Sequence, residues 1–205
     1  MPTQPMLVGN VALLVIDIQK GAFIDDDGGI PHMPGYRDAM WRAREVIDAA
    51  HAGGVPVIFF QEIHRRNMVD YGRELDGSEG VHCLEGRPGT PVAADEMGMR
   101  PDDYFIAKRR YSCFFGTDLE ILLKGLKVDT VVLVGGMTDV CVHYTFVDAH
   151  QHDYHARVAR EAVGGTSPKA HDASLDAMEY LQTGAVRGVD EIVAGFAGET
   201  TRAAA

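Results

Sequence analysis

"VLVGGMTDVCVHYTF", from Val132 to Phe146, is the stretch on which the reading of the fold turns. An apolar run closes on two glycines, and a cysteine, Cys141, follows where helical spacing begins. A nearly continuous run of Val and Leu is the pattern of a strand buried on both faces, as in a parallel sheet covered by helices. Upstream, "DTVVLVGG" (Asp129–Gly136) completes the strand; downstream, a helix is expected from about Asp139 to Asp153.

The same alternation extends in both directions. "NVALLVIDIQ" (Asn10–Gln19), "VPVIFFQ" (Val55–Gln61), "DYFIAK" (Asp103–Lys108) and "HARVAREAV" (His155–Val163) read as further strands, with a short one near Ala185–Val189. Helices are expected at Tyr36–Gly54, which ends on Gly-Gly, at Asp118–Leu126, at the chain's end, and at Ser167–Gly184. The last of these opens on Ser-Pro, a cap followed by a first-turn proline. Strand and helix in turn predict an α/β fold, three layers α/β/α around a mostly parallel, six-stranded Rossmann-like sheet with helices on both faces. The whole chain, 1–205, reads as one domain. The segment 62–100 does not fit the pattern: it is glycine-rich, charged and weakly periodic, and reads as a lid or subunit-contact insertion. The tail "GETTRAAA" reads as frayed.

The chain has 205 residues and a net charge of −11, which excludes a nucleic-acid footprint and an anionic membrane partner. An anionic ligand would need a local cationic pocket. No stretch has the length of a membrane span and the N-terminus lacks a signal-like core, so a cytoplasmic protein is expected. Three irregularly spaced cysteines match neither a disulfide framework nor a zinc pattern.

In parallel α/β sheets ligands bind beyond the carboxyl ends of the strands. An acid, a cation and a thiol fall at or beside such ends: Asp17 in "VIDIQ", Lys108 closing "YFIAK", and Cys141 after "VVLVGGMTD". Each has a plainer reading, as a buried aspartate satisfied by amides, a surface lysine, or a core cysteine. Taken alone, Cys141 reads as core. A free thiol of pKa ~8.5 is only a few per cent ionised at neutral pH, and a helix N-terminus contributes ~0.3–1 kcal/mol. Lowering that pKa by two takes ~2.7 kcal/mol, so a nearby cation or base is required.

"LLVIDIQKGAF" (Leu13–Phe23), "AKRRYSCFFGTDLEILLKGLKVDTVVLVGGMTDVCV" (Ala107–Val142) and "AREAVGG" strongly resemble the isochorismatase-like cysteine hydrolases, which include nicotinamidases, N-carbamoylsarcosine amidohydrolases, and biuret and ureide hydrolases. The resemblance covers most of the chain and is weakest across Met68–Arg100. It implies a catalytic triad of Asp17, Lys108 and Cys141, and a cis peptide between Gly136 and Met137. It further implies an oxyanion hole of the Met137 and Cys141 amides, and hydrolysis of a small amide, carbamoyl compound or ureide through a thioester. A homo-oligomer, dimer or tetramer, is implied as well.

Cys141 argues against the vinyl-ether cleavage of true isochorismatases, which do not use a cysteine here. Nicotinamidases carry an Asp-x-His metal motif after the second strand. The matching "FQEIHRR" gives Glu62 and His64 with no second histidine at that spacing, so no metal and no cofactor are expected. Glu62, His64 and Arg65 are expected to face substrate instead, with Phe23, Tyr111 and Phe114 walling the pocket. "HQHDYH" (His150, His152, His155) reads as a solvated helix terminus, and Cys83 and Cys113 as bystanders. Two rivals remain: a metal-assisted amidase using Glu62 and His64, and a thiol redox sensor on the same fold. A nucleotide binder is disfavoured, because "DIQKGAF" is no phosphate loop.

Overall fold

The computed structural model describes residues 6–24 and 30–203, and side chains as far as residue 198. Six strands, β1 (Asn10–Ile16), β2 (Val57–Glu62), β3 (Tyr104–Lys108), β4 (Val128–Gly136), β5 (His155–Gly164) and β6 (Val186–Arg187), form one sheet in the order β3-β2-β1-β4-β5-β6. Every pairing is parallel. The helices are α1 (Tyr36–Gly53), the single turn α2 (Ala94–Met97), α3 (Leu119–Gly125), α4 (His143–Gln151), α5 (Pro168–Leu181) and α6 (Val189–Ala203).

The alternation along β1 explains the three layers. Leu13 and Val15 point into a core shared with Met40, Val46 and Ile47 of α1 and Phe196 of α6. Leu14 and Ile16 point into the opposite core, with Leu119 and Leu123 of α3, Phe146 of α4 and Leu175 of α5. Both faces are covered, so the strand needs no polar side, and each such fully buried side chain contributes about 1.5–3 kcal/mol. The sequence signals at the helix ends act as expected. Ser167 accepts a hydrogen bond from the Ala170 amide at 3.2 Å with Pro168 in the first turn, and Gly54 caps α1 at φ 68°.

Two elements differ from expectation. The helix expected from Asp139 begins instead with a wide π-type turn, Thr138–Val142, before α4. The tail expected to fray continues α6 as far as Ala203. The segment after β2 is not a detached insertion. It folds back on itself through a bridge between His64 and Leu84, and it pairs Val92 with Gln19 beyond the end of β1. Among the described residues no helix is long and apolar enough to cross a membrane.

Candidate active site

The chain lays down β1, β2 and β3 in one direction, then returns to the middle of the sheet and lays down β4, β5 and β6 in the other. The reversal falls between β1 and β4, and a crevice opens at their carboxyl ends. The strands approach very closely there. Gly135 has φ 113°, and a Cβ on it would stand 2.1 Å from the main-chain oxygen of Ile16. Asp17, the residue after β1, takes a left-handed φ of 51°, rare for a residue with a side chain and associated with functional sites. The Gly136–Met137 peptide is cis, as the resemblance implied.

Asp17, Lys108 and Cys141, distant in sequence, meet at this point. The Lys108 Nζ lies 2.7 Å from Asp17 Oδ2, 2.7 Å from Glu62 Oε2 and 3.5 Å from Cys141 Sγ. It also donates to the Arg110 carbonyl at 2.9 Å. The lysine is 1% exposed, so this is a buried ammonium shared by two carboxylates and a thiol. The second oxygen of Asp17 accepts from the Glu62 amide at 2.9 Å, which fixes the carboxylate to β2.

The charges follow from this packing. Burial opposes the ammonium of Lys108, but Asp17, Cys141 and Glu62 outweigh it and hold its pKa well above the usual lysine value. Burial pushes Asp17 up against the pull of Lys108, with the charge of Glu62 adding to the rise. Burial also pushes the Cys141 thiol well up; Lys108 pulls it down, but Asp17 and Glu62 push it further up. Cys141 is therefore a protonated thiol at rest, with a base beside it. The helix and the lysine do not together make a standing thiolate.

Glu62, expected to face substrate, lines the cavity and also joins this centre. It is 4% exposed and belongs to two clusters at once. One oxygen faces Lys108; the other lies 3.2 Å from His82 Nε2 and 3.5 Å from His64 Nε2. Glu74 closes the group at 3.1 Å from His64 Nε2. Burial opposes the charge on Glu62, yet Lys108 and the two imidazoles hold its carboxyl well below the ordinary range. The same contacts raise His64 to about 9 and His82 to about 10, against the opposing effect of burial.

The second histidine absent at the expected spacing is thus supplied by the fold. The His64 amide donates to the Cys83 carbonyl at 2.8 Å, and this pairing carries His82 to the site. One donor atom from each of Glu62, His64, Glu74 and His82 lies within 4.8 Å of the others. Both ring nitrogens of His64 and both carboxylate oxygens of Glu74 are buried without a well-formed hydrogen bond. Two imidazoles and two carboxylates with under-satisfied buried atoms are a donor set that suits a zinc-like divalent ion.

A cavity of about 520 Å³ opens onto the centre, lined by Asp17, Glu62, Met137, Cys141 and Tyr111 among others. The remaining residues expected on its wall lie elsewhere. His64 is fully buried behind Glu62, stacked on Tyr71 at 4.0 Å. Arg65 turns outward, 57% exposed, and pairs with Asp70 at 3.0 Å. Phe23 packs edge-on against Trp41, and Phe114 stacks on His152 and Tyr154. An apolar ring next to a catalytic residue in sequence serves the neighbouring core when the backbone turns away. The lining also includes Gln19, Tyr36, Cys83 and Arg87, which sequence reasoning did not place there. Tyr36 has a visible signature: two strand-end glycines, Gly136 and Gly164, leave room for its side chain, where a Cβ would stand 2.1 Å from its hydroxyl and 2.4 Å from its ring.

A doubly covered parallel sheet that gathers an acid, a lysine and a cysteine at its switch point is an α/β fold with a candidate active site at its strand ends. The isochorismatase domain family matches residues 11–191, and the chain belongs to that family. It is 32% identical over 177 residues to a probable inactive nicotinamidase of Arabidopsis thaliana, covering 84% of this chain and 89% of the relative. It is 28% identical over 222 residues to a ureidoacrylate amidohydrolase of Stutzerimonas stutzeri, covering 96% of this chain and 88% of the relative. Among solved structures it is similar to the pyrazinamidase of Pyrococcus horikoshii in complex with zinc. There the TM-score is 0.74 and the identity 28%, over 87% of this chain and 98% of that one.

Proposed function

We propose that the chain hydrolyses a C–N bond of a small amide, carbamoyl compound or ureide, with Cys141 as nucleophile and a thioester intermediate. The observation that carries this reading is the position of the Lys108 ammonium, 2.7 Å from Asp17 and 3.5 Å from the Cys141 thiol. Because the thiol is protonated at rest, its proton must leave as the attack begins. Asp17, whose own pKa is raised by burial, is matched to accept it. Lys108 stabilises the sulfur anion, which adds to the substrate carbonyl, and the oxyanion rests on the amides of Met137 and Cys141. Asp17 then protonates the departing ammonia or amine and next draws a proton from the water that hydrolyses the thioester.

A second reading is favoured by the Glu62, His64, Glu74 and His82 cluster. These four residues would hold a divalent ion, and one relative in structure is a zinc complex. Such an ion supplies Lewis-acid polarisation of a substrate oxygen or nitrogen. Glu62 would then link the ion's site to Lys108 through its two oxygens. The homo-oligomer implied by the resemblance belongs to the same functional reading and is tested by light scattering.

The test is ammonia release from a panel of amides, carbamoyl amino acids and ureides, by protein stripped of metal and by the same protein given zinc. Release that vanishes in Cys141→Ala, with unchanged thermal stability, is the expected result. Release that persists in that variant, or no release from any compound, overturns the reading. One relative is named a probable inactive nicotinamidase, so the second outcome is a real alternative.

A further inference from the structure

The loop after β2 gives the cavity an arginine, Arg87, beside Gly89 and Thr90. Its backbone is fixed: the Arg87 amide donates to the Leu84 carbonyl at 3.1 Å, and the Thr90 amide to the Arg87 carbonyl at 3.2 Å. The Thr90 hydroxyl donates to the same Leu84 carbonyl at 2.8 Å. The Arg87 Nη1 donates to the Val81 carbonyl at 2.8 Å, which orients the guanidinium and leaves its other N–H groups for a ligand.

Among the described residues no carboxylate forms an ion pair with Arg87. Nearby arginines differ: Arg65 and Arg109 are tied to Asp70 at 3.0 Å, and Arg110 reaches Glu74 at 3.5 Å. Each described acid of the wall already has a basic partner. Asp17 and Glu62 share Lys108, and Glu79 lies 3.9 Å from His82. Among the described residues of the cavity wall, Arg87 is a cation without an acidic partner, and its planar fork suits a carboxylate.

We propose that the substrate carries a carboxylate, that Arg87 receives it, and that this contact sets the scissile carbonyl at Cys141. The substrate class is then a small amido or ureido acid rather than a neutral amide, and a cavity of about 520 Å³ accommodates one. The loop after β2 thereby has a role in recognition. This inference rests on Cys141 being the nucleophile.

The test requires no known substrate. Native protein is treated with N-(bromoacetyl)glycine or with its neutral counterpart, N-(bromoacetyl)glycinamide, and labelling of each cysteine is followed by peptide mass spectrometry. The acid is expected to label Cys141 saturably and about tenfold faster than the neutral reagent. Arg87→Gln should erase that preference, so that the acid labels no faster than the neutral reagent; Arg87→Lys should keep part of it. The carboxylates of Asp17 and Glu62 bias the reaction against an anion, so a preference for the acid is not expected without a receptor. Equal rates in the wild type, or a preference that survives Arg87→Gln, overturn the inference while the nucleophile stands. If neither reagent labels Cys141 in the native protein, the cysteine-hydrolase reading fails and this inference with it.

Discussion

Replacing Lys108 with methionine keeps most of the side chain's volume and removes the charge between Asp17 and Glu62. Their carboxylate oxygens lie no more than 4.8 Å apart. Without the ammonium, two unit charges at that distance repel by about 3.5 kcal/mol at an effective dielectric of ~20. The protein can bear this as lost stability or take up a proton, which raises one carboxyl's pKa. A carboxyl whose folded pKa is raised binds more protons folded than unfolded. Its penalty is therefore small below the unfolded value near 4 and grows as pH rises through the raised folded value. Urea unfolding of Lys108→Met should show a loss of about 3–5 kcal/mol at pH 8 and clearly less at pH 5. In thermal scans the loss at pH 8 corresponds to roughly 7–15 °C. A variant within about 1 kcal/mol of the wild type at pH 8, with the same pH slope, would refute the shared ammonium as the organiser of the site.

Gly135→Ala places a Cβ 2.1 Å from the Ile16 carbonyl at φ 113°. It should cost about 2–5 kcal/mol by forcing β1 from β4 beside Asp17, and an unchanged melting temperature would contradict that contact. His64 and His82, raised to about 9 and 10, contribute stability that is complete below the unfolded value near 6.5. Metal-stripped protein should therefore lose stability as pH rises towards 10, and a denaturation series flat from pH 7 to 10 would contradict the pairing. An ion held by the same imidazoles displaces their protons, so zinc affinity by calorimetry should rise with pH; affinity equal at pH 6 and 8 would remove the cluster as its site. Asp17→Asn should abolish ammonia release and slow alkylation of Cys141, because the thiol loses the base that takes its proton; unchanged alkylation would remove Asp17 as that base.

What the sequence revealed divides along physical lines. β1, β2, β4 and β5 were legible because both faces are buried and their apolar runs are unbroken, and α5 because Ser167 and Pro168 mark its start. Asp17, Lys108 and Cys141 were legible as a set because each stands at or just beyond a strand end, and strand ends in a parallel sheet share one edge. Glu74, His82 and Arg87 were not, because they reach the site through the irregular pairing of His64 with Leu84, which has no period to read. The outward turn of Arg65 was invisible for the same reason: the carboxylate that claims it, Asp70, lies in the same loop. Phe23 and Phe114 were misplaced because proximity in sequence to a catalytic residue does not fix the direction of a ring. The π-type turn at Cys141 has no sequence signature distinct from an ordinary helix start.

The central claim is that Cys141 is a nucleophile with a base and a cation beside it rather than a core thiol. It is tested most directly by treating the native protein with limiting iodoacetamide from pH 5.5 to 9 and mapping the label on Cys141, Cys83 and Cys113. The account predicts that Cys141 is labelled first near neutral pH, although its pKa is raised, because Asp17 can take its proton. It also predicts that Lys108→Met slows that labelling. A Cys141 that stays unlabelled until the protein is unfolded, while Cys83 reacts, would contradict it.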